Sequence, residues 1–265
     1  MTKLSIVLTG ASGGIGSAIA HALADDGHRL MLIGRNEQKL KFLCNTLKEN
    51  DRHTILVANL LEPACRDRIV NHCSEHFGRV DVLINNAGVS TFSLLQDTSE
   101  EDLASMLNTN LLSPILLTRD LLPLLRASER PSIINIGSTF GTIGYAGFTG
   151  YSASKFGLRG FSEALRRELA DESLAVHYLA PRAVSTDMNS VEVNALNNAL
   201  GNAIDPPERV AIACRALIND RDGKNQHLGW PERIFVKVNS LMPRLVDGAL
   251  RKQLSIIKQH CLPNN

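Results

Sequence analysis

Three side chains in this sequence have the types and spacing to move a proton: Ser138, Tyr151 and Lys155. Tyr151 and Lys155 stand four residues apart in the run Tyr-Ser-Ala-Ser-Lys, thirteen residues after the serine. At i and i+4 of a helix, both side chains leave the same face. A cation beside a phenol stabilises the phenolate, so Lys155 is expected to lower the Tyr151 pKa from its ordinary value of about 10. A tyrosine so placed is an acid/base usable near neutrality.

Such a device needs a scaffold and a reaction partner. The apolar run Leu4 to Leu8 leads into Thr9-Gly10-Ala11-Ser12-Gly13-Gly14-Ile15-Gly16, and the helical pattern Ala18, Ile19, Ala22, Leu23 then stops at Gly27. This predicts a strand, a glycine turn and a helix. Glycines let a backbone approach a pyrophosphate closely, and the helix N-terminus meets its charge. The spacing is GxxxGxG and not GxGxxG, so the turn alone is compatible with an ordinary glycine-rich loop. Further strand-like runs cover Leu30 to Ile33, Thr54 to Ala58, Val82 to Asn85, Ser132 to Gly137 and Ala175 to Ala180, with helical stretches between them. The alternation predicts a doubly wound α/β domain, a Rossmann-type parallel sheet with helices on both faces. Ligands of such a sheet lie beyond the carboxyl ends of its strands, where Gly10 to Gly16, Asn85 to Gly88 and Ser138 all fall. Residues 1–230 are expected to form one such domain, and 231–265 a basic, amphipathic helical extension.

Taken together, TGASGGIG at 9–16, NNAG at 85–88, Asn110, Ser138 and YSASK at 151–155 resemble the short-chain dehydrogenase/reductase family over about the first 190 residues. The resemblance implies hydride transfer between a nicotinamide cofactor and a carbonyl or alcohol. Tyr151 would exchange the proton, Ser138 would hold the substrate oxygen, and Lys155 would bind the nicotinamide ribose and support the tyrosinate. Asn110, inside a helical stretch from Asp102 to Leu125, would hold a water connecting Lys155 to solvent. A mid-helix Asn also reads as a kink, and Ser138 as a turn cap. For the cofactor, the resemblance implies contacts from Gly10, Ser12, Gly13, Gly14, Ile15, Gly16, Arg35, Asn59, Leu60, Asn86, Ala87 and Gly88. Tyr151, Lys155, Pro181, Val184 and Thr186 complete the set. Asn59 stands where an Asp is common, and its carbonyl oxygen could accept the same adenine hydrogen bond.

Gly34 occupies the place where an NAD-preferring site carries an acid, and Arg35 follows it. A guanidinium suits a 2′-phosphate, so NADP(H) is favoured over NAD(H). In Pro181-Arg182-Ala183-Val184-Ser185-Thr186, Arg182 departs from the family pattern PGxVxT. If that glycine has a positive φ, arginine there carries strain. Arg182 either faces the cleft, to pair with a substrate carboxylate or phosphate, or is an ordinary surface arginine. Residues 187–205 correspond to a mobile substrate lid. Met188, Val191, Val193, Leu196 and Leu200, with Asn194, Asn197 and Asn198, either line a medium apolar pocket or form a packed helix face.

From Pro231 the sequence predicts two helices separated near Pro243, in place of the short strand and tail that end the acyl-carrier-protein ketoreductases. Ile234, Phe235, Val238, Leu241, Met242, Leu245, Val246, Ala249, Leu250, Leu254 and Ile257 recur at helical spacing, interleaved with Arg233, Lys237, Arg244, Arg251, Lys252 and Lys258. Such a pair suits an anionic membrane through residues 232–260, or packing within or between subunits.

The chain has 265 residues, 44% of them hydrophobic, and a net charge of +1. That balance gives no global field for nucleic acid. The five cysteines show no CxxC pairing, and His72 and His76 lack the pattern of a zinc site, so free thiols and no metal are expected. The first strand begins by about residue 4, leaving no room for a signal peptide, and the most apolar stretch, Leu111 to Leu125, is broken by Arg119-Asp120. With the resemblance, these features lead us to expect a cytoplasmic protein, free or membrane-associated, taking a small carbonyl or alcohol substrate as a homodimer or homotetramer. The competing reading is a catalytically idle cofactor-binding regulator, or a membrane-peripheral interaction protein, on the same fold.

Overall fold

Side chains of a strand alternate between the faces of a sheet, and here both faces are apolar. Ile6, Leu8, Leu30, Leu32, Val82 and Ile84 enter one core, while Val7, Met31, Ile33 and Leu83 enter the other. The elements, in a computed structural model describing residues 3–261, alternate accordingly. They are β1 (Ser5–Thr9), α1 (Gly14–Asp25), β2 (Arg29–Gly34), α2 (Glu37–Thr46), β3 (Thr54–Val57), α3 (Cys65–Phe77) and β4 (Val82–Asn85). Then come α4 (Glu100–Leu107), α5 (Ser113–Arg126), β5 (Ser132–Ile136), α6 (Thr149–Glu168), β6 (Ala175–Ala180), α7 (Val191–Ala199) and α8 (Pro207–Ile218). A last strand, β7 (Asn225–His227), precedes α9 (Glu232–Leu241), α10 (Pro243–Arg251) and α11 (Leu254–Cys261).

The seven strands form one parallel sheet in the order β3-β2-β1-β4-β5-β6-β7. Helix α1 buries Gly16, Ile19, Ala20, Leu23 and Ala24 at helical spacing, facing Val210, Ala211, Cys214 and Leu217 of α8. On the other face α3 offers Ile69 and Cys73, and α5 offers Leu117, Leu121 and Leu125. The order reverses at β1, so the loops after β1 and β4 diverge and leave a crevice at the carboxyl edge.

Three expectations need correction. Strand β7 closes the sheet where the sequence led us to expect no terminal strand; its residues, Asn-Gln-His, are polar and partly exposed, so no apolar run marks it. The extension has three helices rather than two, the second break falling at Lys252-Gln253, where neither proline nor glycine signals it. The predicted helix 102–125 is also not continuous, since a π turn over Asn108–Leu112 joins α4 to α5. Such a turn inserts one residue into the helical ladder and re-aims its side chains.

Candidate active site

The crevice is a cavity of about 850 Å³, within the range of small-molecule and cofactor sites. Its floor is the glycine turn. Gly10 has φ +63°, and a Cβ there would stand 2.7 Å from the Ala87 Cα, so the turn and the loop after β4 touch backbone to backbone. A Cβ on Gly16 would strike the Gly10 carbonyl at 2.2 Å. Thr9 and Asn86 lock the two loops together. The Thr9 hydroxyl accepts from the Asn86 and Ala87 amides at 3.0 and 3.1 Å, and Asn86 Nδ2 donates to the Thr9 and Gly10 carbonyls at 3.0 Å each. Gly13 begins α1 with no side chain capping the first amides, which leaves them directed at the cavity floor. A Cβ on Gly14 would meet Thr186 Cγ2 at 2.8 Å, bringing the loop after β6 onto the start of α1.

At one end the lining includes Ser12, Arg35, Asn59 and Leu60. A Cβ at Gly34 would stand 3.2 Å from Ser12 Oγ, so the end of β2 lies close against the glycine turn. Arg35 is exposed and, among the described residues, makes no ion pair. Lys39 joins it in the lining, a cation overlooked in the sequence because it belongs to the first turns of α2. Asn59 Oδ1 already accepts from the Leu61 amide at 3.2 Å, leaving one lone pair for a ligand.

At the other end Ser138 follows β5 and Tyr151 and Lys155 occupy the first turns of α6. The Ser138 hydroxyl stands beside the Tyr151 phenol, and its Oγ accepts from the Phe140 amide at 3.1 Å. Lys155 is 4% exposed; its Nζ donates to the Ile136 carbonyl at 3.0 Å and lies 5.7 Å from the centre of the Tyr151 ring. The expected lowering of the tyrosine is reversed. Burial pushes the Tyr151 phenol up to about 12, outweighing the opposite pull of the Ser138 hydroxyl, and pushes the Lys155 ammonium down to about 8. Desolvation disfavours both charged forms, and in this arrangement it dominates the attraction between them.

Gly10, Ser12, Gly13, Gly14, Ile15, Gly16, Arg35, Asn59, Leu60, Asn86, Ala87, Gly88, Ser138, Tyr151, Lys155, Pro181, Val184 and Thr186 all line this one cavity. Asn110 does not. It is fully buried in the π turn, where its Oδ1 accepts from the Val89 amide and its Nδ2 donates to the Val89 carbonyl, both at 2.8 Å, and to Ser154 Oγ at 3.0 Å. A Cβ on Gly88 would stand 3.2 Å from Asn110 Oδ1 and 3.6 Å from Lys155 Nζ. The glycine thus lets the amide and the ammonium approach the same backbone.

Sequence reasoning missed Tyr178. It is fully buried on β6, its hydroxyl accepts from the Ser138 amide at 3.2 Å, and it lies 3.1 and 3.3 Å from the Ser138 and Lys155 carbonyls. Gly137 and Gly141 leave the room it needs, since a Cβ on Gly137 would fall 2.1 Å from its ring and one on Gly141 2.1 Å from its hydroxyl. Aromatic rings were missed as well. Phe92 stacks on Phe148 at 4.9 Å and Phe140 on Tyr145 at 4.8 Å along the wall near Tyr151. The Tyr145 and Phe148 spacing of i, i+3 was the available signal.

Met188, Val193, Leu196 and Asn197 of the lid segment reach the cavity, whereas Val191 is 80% exposed and, with Leu200, Asn194 and Asn198, stays outside its lining. Arg182 lines the cavity, but its fork is already taken. Its Nη2 donates to Asp205 at 2.8 Å and its Nη1 to Glu232 at 3.2 Å and to the Trp230 carbonyl at 3.2 Å. These two carboxylates belong to the chain itself, so Arg182 is neither free for a substrate anion nor an ordinary surface arginine but part of an internal clamp. Nor is the backbone strained there, because Arg182 has no positive φ. Among the described residues no cluster of His, Cys, Asp and Glu could hold a metal, and the five cysteines are free.

A family profile described as short chain dehydrogenase matches residues 5–197. An uncharacterised oxidoreductase, YxnA, of Bacillus subtilis is 33% identical over 254 residues, covering 93% of this chain and 71% of the relative. The 3-oxoacyl-[acyl-carrier-protein] reductase FabG of Escherichia coli is 36% identical over 186 residues, covering 70% of this chain and 75% of the relative. Among solved structures, a short-chain dehydrogenase from Streptomyces avermitilis superposes with a TM-score of 0.81 at 26% identity, covering 97% of both chains. The profile ends at residue 197, while the likenesses to YxnA and to the Streptomyces structure, at 93 and 97% of this chain, extend beyond it. With glycine turn, serine, tyrosine and lysine gathered in one cavity, this chain belongs to the short-chain dehydrogenase family of oxidoreductases.

Proposed function

We propose that this protein is an NADP(H)-dependent enzyme that interconverts a carbonyl and a secondary alcohol on an apolar substrate. The observation that carries the reading is the shared cavity, with Ser138, Tyr151 and Lys155 at one end and the glycine turn, Arg35 and Lys39 at the other. The residues fit a nicotinamide dinucleotide: glycines at 10, 14 and 16 let the turn close on the loops after β4 and β6 that wall the cavity, and the uncapped α1 amides suit a pyrophosphate. Arg35 and Lys39 would hold the 2′-phosphate, with Asn59 and Leu60 against the adenine and Ala87 and Gly88 against its ribose. Pro181, Val184 and Thr186 would hold the carboxamide. When bound, the nicotinamide supplies or accepts the hydride.

Tyr151 is protonated at neutral pH, the state required to donate a proton to an alkoxide oxygen. Ser138 is placed to hydrogen-bond that oxygen and fix it. Lys155, anchored on Ile136, keeps a positive charge near the phenol, and Asn110 fixes the backbone beside it. Phe92, Phe148, Leu196, Val246 and Leu250 support an apolar ketone. Five free thiols suit a reducing compartment, and we place the protein in the cytoplasm. Exposed Leu107, Leu112 and Phe156 support a homodimer or homotetramer.

The test is NADPH consumption across ketones, aldehydes and 3-oxoacyl thioesters, with Tyr151→Phe as the control. Turnover is expected for at least one class, falling about a hundredfold or more in the variant while NADPH still binds. NADPH binding without turnover of any class would hand the protein to the idle, cofactor-binding reading.

A further inference from the structure

Helices α9 and α10 have faces of opposite character. On the inner side Phe235, Val246 and Leu250 line the cavity. Asn239 Nδ2 donates to the Thr142 carbonyl at 3.0 Å, and the Tyr145 hydroxyl donates to Gln253, just past α10, at 2.9 Å. These bonds fix which way the helices face. On the outer side Ile234, Leu241, Met242 and Leu245 are 43, 80, 53 and 60% exposed. Ile234 and Leu241 lie two turns apart on one face of α9 with Lys237 between them, and Arg244 and Leu245 follow at the start of α10. Arg233, Lys237, Arg244, Arg251 and Lys252 are exposed, and none enters an ion pair among the described residues. Of the acids nearby, Glu232 is held by Arg182, which leaves Asp247 alone against five cations.

Bulk water leaves this apolar patch unsatisfied. A second copy docked through a two-fold contact would set the same five cations against each other. An anionic lipid surface satisfies both features, the acyl boundary taking Leu241, Met242 and Leu245 and the headgroups taking the cations. No helix among the described residues is long and apolar enough to cross a membrane, so the contact would be peripheral. We propose that α9 and α10 seat the protein on an anionic membrane surface, with the cavity wall they build lying against the headgroup layer. An apolar carbonyl compound could then pass from the bilayer into the cavity between Phe235 and Leu250; that consequence rests on the oxidoreductase reading, whereas the contact itself does not.

The experiment is co-sedimentation of the full chain with vesicles of phosphatidylcholine alone and of phosphatidylcholine mixed with phosphatidylglycerol. Binding is expected to the mixed vesicles, about tenfold weaker to the neutral ones and reduced by added salt. Two double variants, Leu241→Gln with Leu245→Gln and Lys237→Glu with Arg244→Glu, should each weaken binding about tenfold. All four positions lie outside the cavity lining, so unchanged NADPH binding reports that the variants are folded. Equal pelleting by wild type and variants, or no pelleting with the mixed vesicles, overturns the proposal. A wild-type dimer in sedimentation velocity that the Leu241→Gln, Leu245→Gln protein loses also overturns it, giving the patch to a second copy. Turnover of soluble ketones without vesicle binding would remove only the membrane contact, and vesicle binding without turnover only the oxidoreductase reading.

Discussion

Tyr151 and Lys155 show how burial decides the working state of a proton-transfer pair. With the phenol near 12 and the ammonium near 8, the tyrosine carries its proton at neutrality and the lysine still carries most of its charge. The geometry of the pair depends on Tyr178, whose single hydroxyl reaches the backbone of both Ser138 and Lys155. Tyr178→Phe keeps the ring between Gly137 and Gly141 but leaves a buried amide unpaired, a loss of roughly 1–2 kcal/mol. The expected result is a fall in kcat of about tenfold with KM nearly unchanged, read from steady-state kinetics. At the far end, Arg35→Ser removes the guanidinium proposed to hold the 2′-phosphate, so KM for NADPH should rise by about tenfold or more while KM for NADH stays put. Equal rises for the two cofactors would take the 2′-phosphate away from Arg35. The glycine-turn, loop and catalytic residues that line the cavity were readable because each follows a strand or opens a helix, whereas Lys39 and the aromatic wall carry no such mark. Tyr178 was not, since the glycines that admit its ring lie far from it in sequence and nothing local marks the need.

Arg182 binds three elements together at the scale of loops and helices. It leaves the end of β6, reaches Asp205 beyond α7 and takes Glu232 in the first turn of α9. Arg209 also donates to Asp205, at 2.8 Å, and this second cation holds part of the buried charge when the first is removed. Arg182→Ala should therefore cost roughly 2 kcal/mol, less than an unshared buried pair would. For a chain of this size that corresponds to a fall in melting temperature of roughly 4–8 °C, measured by calorimetry. A change below one degree would mean that the clamp carries no weight. Four of the six predicted strands were legible to within a residue at each end, and Val82–Asn85 and Ala175–Ala180 to the residue, because they are apolar runs enclosed by the helices. Strand β7 was hidden by its polar sequence. The clamp was hidden by separation, since a lone arginine in a loop says nothing of carboxylates 23 and 50 residues away.

The whole molecule rests on two cores either side of the sheet, and His177, with the largest downward shift among several buried or half-buried histidines, is expected to contribute acid sensitivity. His177 on β6 is fully buried and its pKa is pushed down to about 4, mainly by burial. The unfolded chain takes up this proton near the ordinary histidine value of about 6.5, so stability is whole above that pH and declines as pH falls toward 4. The expected loss is at most about 3 kcal/mol, read as a drop in urea midpoint that His177→Gln should flatten. An undiminished drop in the variant would assign the acid sensitivity to other groups. The C-terminal helices lie at the opposite extreme of stability. Across α9, α10 and α11 only Val246 and Ile257 are buried, against a sheet whose strands are almost wholly enclosed. Regions with so little enclosed apolar surface open at a fraction of the global free energy. The cavity wall of α9 and α10 can therefore open locally while the sheet stays closed, so that entry and exit of a bulky ligand are governed by an equilibrium set by the Arg182–Glu232 ion pair and two side-chain hydrogen bonds.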